Sequence, residues 1–233
     1  TASCVLMTPK TVQNDETVTA FELFDSARSR TIPVIVYGNR IGHPRPLAII
    51  LPGYGIGHGE YGFIAQKLVA QGHIVAAVQI QLASDPPVPG GDNLKLRRRP
   101  YWLRGVADTQ YVARALRQRG WANATPLVLV GHSHGGDTAM LFASEHQKDV
   151  RVAFSLDNRR MPLPLSRQPR ICSARSSDQL ADPGVLPNAA QRRTLNMTIK
   201  WLVSVRHDDM FDGATDKQKK AMIGVLEECL EKH

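Results

Sequence analysis

The apolar run Leu127-Val128-Leu129-Val130 ends on Gly131-His132-Ser133-His134-Gly135, and a helix-compatible stretch, Asp137 to His146, follows at once. A buried strand that turns within five residues into a helix constrains the fold more than any other feature of the chain. The turn brings backbone against backbone, so the positions two before and two after the serine, Gly131 and Gly135, must be small. The strained bend lifts the serine hydroxyl above the sheet, and the helix N-terminus behind it favours negative charge developing there.

The surrounding pattern agrees. Short apolar runs at Leu47–Leu51, Ile74–Ile80, Leu127–Val130, Val150–Leu156, Arg170–Ala174 and Ile199–Val205 alternate with amphipathic stretches. That alternation predicts βα units and a mostly parallel central sheet with helices on both faces, the α/β class. Tyr61, Ile64, Ala65 and Leu68 form one helical stripe. Trp102, Val106, Thr109, Ala113 and Leu116 form a second, and Met222, Val225, Leu226 and Cys229 a third. Two extended segments, Val18–Phe24 and Ile32–Tyr37, flank the polar stretch Asp25–Arg30 and predict an N-terminal β-hairpin. The expected organisation is a polar lead-in over residues 1–17 and a single domain over 18–233. Residues 82–100, rich in proline and glycine and then arginine, are expected to be a lid or loop insertion, and residues 158–169 a second long loop.

A serine hydroxyl attacks only when a base takes its proton and a third group orients the base. With Ser133 as nucleophile, His207 is the expected base, because it opens the loop after the last apolar run. Asp178, just past the run ending at Ala174, is the first choice for the acid. Asp182 is the alternative, and Asp157, at the end of the preceding run, is a third candidate. Two backbone N–H groups are needed for the oxyanion. His134 supplies one, and Tyr54, in Pro52-Gly53-Tyr54-Gly55, supplies the other. The reaction these residues predict is hydrolysis of a small-molecule carboxylic ester through an acyl-enzyme.

Rival readings are weaker. Gly57-His58-Gly59-Glu60-Tyr61-Gly62 has dinucleotide-site spacing, but its first glycine follows the run ending at Leu51 too late for that turn. His58, His132 and His134 lack an acidic or cysteine ligand spaced to complete a metal site, so neither metal nor cofactor is expected. A non-enzymatic chain of the same fold stays open as an alternative, with its basic segment holding an anionic partner. The 233 residues carry 29 Lys and Arg against 21 Asp and Glu, a formal net charge of +8. Residues 95–119 hold eight basic residues against Asp108 alone, so most of that charge is local. Arg97, Arg98 and Arg99 are the candidate anion- or substrate-binding group at the site mouth. No nucleic-acid motif accompanies them, and nucleic acid is not expected.

No apolar run is long enough for a membrane-spanning helix. The expectation is a soluble chain, cytoplasmic or exported as a mature form; oligomeric state is not legible. Cys4, Cys172 and Cys229 suit neither a disulfide scaffold nor a zinc site, and whether two of them pair is open.

With these residues together the chain resembles the α/β-hydrolase superfamily from about Val18 onward. The hairpin Phe21–Tyr37, with Arg30 and Pro33, and the long loop before the Trp102 helix resemble the dienelactone-hydrolase-like and platelet-activating-factor-acetylhydrolase-like esterases. Dienelactone hydrolases proper use a cysteine nucleophile where this chain has Ser133, so their lactone specificity is not carried over. The resemblance implies a carboxylesterase-like serine hydrolase acting on an ester, thioester or amide without a cofactor.

Overall fold

The computed structural model describes residues 17–231, so Cys4, His233 and nearly all of the expected lead-in lie outside the described residues. Eight strands form one sheet: β1 (Val18–Asp25), β2 (Arg30–Tyr37), β3 (Leu47–Leu51), β4 (Ile74–Val78), β5 (Leu127–His132), β6 (Val150–Leu156), β7 (Arg170–Arg175) and β8 (Thr198–Trp201). Their order across the sheet is β1-β2-β4-β3-β5-β6-β7-β8. The hairpin β1–β2 is antiparallel and joins β4 antiparallel; from β4 to β8 every pairing is parallel.

Strand residues alternate between two cores, as the pleat requires. On β3, Leu47, Ile49 and Leu51 face one layer, with α2 (Leu94–Gln118) and α3 (His134–Glu145). Ala48 and Ile50 face the other, with α1 (Gly62–Ala70) and α5 (Asp216–Glu231). Each stripe read from the sequence is the buried face of its helix. Helix α4 (Ala189–Thr194) has no apolar stripe and buries no side chain; a reciprocal capping box between Asn188 and Gln191 closes its first turn.

Two boundaries differ from expectation by more than three residues. Residues 94–100 are the first turns of α2, with Pro100 inside the helix, so the expected 82–100 loop ends at Asn93. Strand β8 stops at Trp201, not Val205. It pairs with β7 alone, and beyond Trp201 the chain turns back, with Leu202 N–H on the Arg175 carbonyl and Val203 88% exposed. An apolar run on an edge strand thus outlasts its ladder.

The hairpin is fastened to the helical layer by charge. Asp108 of α2, fully buried, takes Arg28 of the hairpin turn and Arg30 at the start of β2, and Arg30 reaches on to Asp85 in the loop after β4. The disulfide Cys172–Cys229 ties the centre of β7 to the last turns of α5. No helix among the described residues is long and apolar enough to cross a membrane.

Candidate functional site

Strand β5 lies mid-sheet between β3 and β6, and its C-terminal end carries the Gly-x-Ser-x-Gly turn. A Cβ on Gly131 would stand 2.2 Å from the Gly135 carbonyl oxygen, and one on Gly135 2.2 Å from that of Leu51. Only glycine fits at either position. Ser133 has φ 51° and ψ −113°, a sparsely populated conformation held by its N–H donating to the Leu156 carbonyl at 2.9 Å.

His207 stands in the short 3-10 turn His207–Asp209 after β8. Its Nε2 is 2.9 Å from Ser133 Oγ, and its Nδ1 is 2.6 Å from Asp157 Oδ2. The structure therefore corrects the expectation for the acid: the carboxylate on the imidazole belongs to Asp157, not Asp178 or Asp182. Asp178 instead accepts the His207 backbone N–H at 2.7 Å, and Asp182 sits in a turn with its own N–H on the Arg159 carbonyl.

Strand register explains the placement. His132 is paired with Leu156, so Ser133 and Asp157 are the next residues on adjacent parallel strands, side by side at the sheet edge. Asp157 takes a left-handed conformation (φ 53°), which an aspartate tolerates, and its N–H bonds back to the Ala174 carbonyl. The carboxylate is fully buried. Oδ1 pairs with the Arg175 guanidinium at 2.9 Å and accepts Ser176 N–H, and Oδ2 accepts the Ser176 hydroxyl at 2.7 Å. Burial alone raises its pKa; the His207 hydrogen bond, the Arg175 charge and the Ser176 donors outweigh it and hold the group below the usual carboxylate range.

Two further histidines flank the serine. Burial, aided by the nearby His207, pushes His132 down to about 3. Burial, aided by Arg98, Arg104 and Arg160, pushes His134 to about 3 as well. His132 uses both ring nitrogens within the protein, and His58 rests on Gln79. The His134 N–H opens α3, where a helix offers no internal acceptor. The Tyr54 ring packs edge-on against the His134 ring at 6.5 Å, so the loop after β3 lies against the elbow.

The arginines of the basic segment are engaged locally. Arg97 donates to the Gly90 carbonyl, Arg98 to that of Pro89, and Arg99 pairs with Glu145. Arg104 pairs with Asp85, Arg114 lies over Tyr111, Arg117 binds the Asn123 and Thr125 carbonyls, and Arg119 lies over Phe21 and Trp121.

No family model matches the sequence, and no curated protein matches it at a significant level. Solved structures do. An S-formylglutathione hydrolase from Agrobacterium tumefaciens superposes with a TM-score of 0.66 at 12% identity, over 97% of this chain and 98% of that one. A ferulic acid esterase from Streptomyces cinnamoneus gives 0.60 at 17%, over 87% and 77%. A dienelactone hydrolase-like promiscuous phosphotriesterase from metagenomic libraries gives 0.63 at 13%, over 91% and 98%. At such identities the likeness speaks for architecture, and it agrees with strand order, crossovers and elbow: the chain has the α/β-hydrolase fold.

Proposed function

We propose that the protein is a serine hydrolase of carboxylic esters, with Ser133 as nucleophile, His207 as base and Asp157 as the acid that orients it. The observation that carries the reading is the hydrogen-bonded line from buried Asp157 through both His207 nitrogens to the hydroxyl of a serine on a strained elbow.

In this mechanism the neutral imidazole accepts the Ser133 proton as Oγ bonds to the substrate carbonyl carbon. The imidazolium so formed is stabilised by Asp157, whose ionised state is favoured by Arg175 and Ser176. The Tyr54 and His134 N–H groups receive the oxyanion. His207 then gives its proton to the leaving alcohol as the C–O bond breaks, leaving the acyl-enzyme. Water, deprotonated by the same imidazole, attacks that ester, and the acid leaves as Ser133 regains its proton.

The neighbours named for ester and thioester substrates suggest the first panel: short p-nitrophenyl esters, a thioester and an amide. Ser133→Ala should lower kcat on the best substrate by about three orders of magnitude or more. A fluorophosphonate should label Ser133 in the wild type and nothing in the variant. Wild-type turnover in Ser133→Ala would end the proposal.

The disulfide extends the reading to compartment. Such bonds persist in oxidising surroundings, which favours an exported protein over a cytoplasmic one.

A further inference from the structure

His132 precedes the serine, and its buried ring joins two loops that the mechanism needs at a fixed separation. Its Nε2 is 3.1 Å from the His207 carbonyl oxygen, and its Nδ1 is 2.9 Å from the Tyr61 hydroxyl. That hydroxyl lies 2.9 Å from the backbone nitrogen of Gly53, the residue before Tyr54. His132 and Tyr61 are 2% and 1% exposed, so water does not compete for these partners.

The proton positions follow from counting donors and acceptors. A carbonyl oxygen only accepts, so His132 Nε2 carries a hydrogen. Burial keeps the ring neutral, which leaves Nδ1 bare, and Nδ1 accepts the Tyr61 O–H. The Tyr61 oxygen in turn accepts the Gly53 N–H. Every group on the line is satisfied in one arrangement only: Gly53 N–H to Tyr61, Tyr61 O–H to His132, His132 N–H to the His207 carbonyl. A protonated His132 would aim a second N–H at Tyr61 and leave the phenol proton without a partner. The contact is also close: a Cβ on Gly53 would meet His132 Nδ1 at 2.9 Å. The rest of the His207 main chain is held by Asp178, which takes its N–H.

We infer that His132 and Tyr61 form a positioning bridge, fixing the His207 turn against the Gly53–Tyr54 loop so that base and oxyanion donor keep one mutual geometry across the elbow. The inference rests on the proposed ester hydrolysis but assigns residues that hydrolysis does not itself require. Both side chains are buried away from the surface that a substrate can reach. Their effect is on the placement of groups that do, where a displacement of about 1 Å is enough to cost roughly a hundredfold in rate.

The test uses the full chain with a short p-nitrophenyl ester. Tyr61→Phe keeps the ring and removes the central hydroxyl; kcat should fall roughly tenfold while KM stays within about twofold. His132→Leu removes both links and should cost roughly a hundredfold. Because both lie on one line, the double variant should be no slower than His132→Leu alone. His132→Gln retains an amide N–H that can reach the His207 carbonyl, and it should recover about tenfold over the leucine variant. Proton NMR gives a readout independent of turnover. The hydrogen between His207 Nδ1 and Asp157 should resonate far downfield in the wild type and shift in His132→Leu. Wild-type kcat in folded Tyr61→Phe and His132→Gln, losses that simply add in the double variant, or an unmoved proton resonance would each overturn the bridge. A folded wild type that turns over no ester but shows the resonance shift counts against ester hydrolysis and leaves the bridge standing.

Discussion

Ser133 lies between two histidines, and both have been taken out of proton chemistry by burial. With His132 and His134 held near 3, neither adds a proton to the site as pH falls from neutral to about 4. Any acid limb of kcat/KM should therefore be no steeper than one proton, and a two-proton slope would show His132 or His134 titrating. The acid is tested the same way. In the proposed mechanism Asp157→Asn removes the charge that stabilises the imidazolium, and it should cost about four orders of magnitude in kcat. It also leaves the buried Arg175 without its anion, at a stability cost of about 3–5 kcal/mol, so the assay belongs well below the unfolding midpoint. Asp178→Asn weakens one backbone tether and should cost roughly tenfold or less. Since the Asp157 pKa is depressed in the fold, its contribution to stability is present above the unfolded carboxylate pKa and is lost as pH falls through the lower folded value. The reverse ranking, Asp178→Asn far slower than Asp157→Asn, would restore the original expectation.

At the scale of elements, most strands and helices were legible because burial on both sheet faces leaves unbroken apolar runs, and one-sided burial leaves stripes. Ser133 and His207 were legible for the same reason: each follows a readable run. The carboxylate that meets His207 was not, because Asp157 closes a run that looks like ordinary strand, and only the β5–β6 register sets it beside Ser133. The start of α2 was hidden by Pro100, which disfavours a helix interior yet sits in one. The 97–99 arginines are candidates for an anion site, or a solvated basic face, on charge alone, which says nothing about partners inside the chain. Arg97 and Arg98 hold the Gly90 and Pro89 carbonyls, so these side chains pin the Pro-Gly loop onto the first turns of α2. Replacing both with Gln should speed proteolytic cutting within residues 82–93, and any change in KM should be equal for neutral and acidic esters. A KM increase confined to acidic esters, with the loop equally resistant, would return these arginines to substrate binding.

For the whole molecule, the charged hairpin network and the Cys172–Cys229 bond fasten opposite ends of one sheet. The hairpin network joins β1–β2 to α2, while the disulfide joins β7 to α5 and closes a 57-residue span that includes His207. A crosslink of that span restricts the unfolded chain, a loop-closure contribution of about 4 kcal/mol. Both sulfurs belong to fully buried residues, so reductant should act on the unfolded chain and leave the native bond largely protected. Thiol titration after denaturation should accordingly find one free cysteine of the three, Cys4. Replacing Cys172 and Cys229 together by Ala should lower the thermal midpoint by roughly 10 °C. Because the loop-closure effect lies in the unfolded state, the variant's kcat at 25 °C should stay within about twofold of wild type. A midpoint that does not move would mean the α5 packing alone holds β7. A midpoint that falls together with kcat would mean that the bond also holds the His207 turn in its folded geometry.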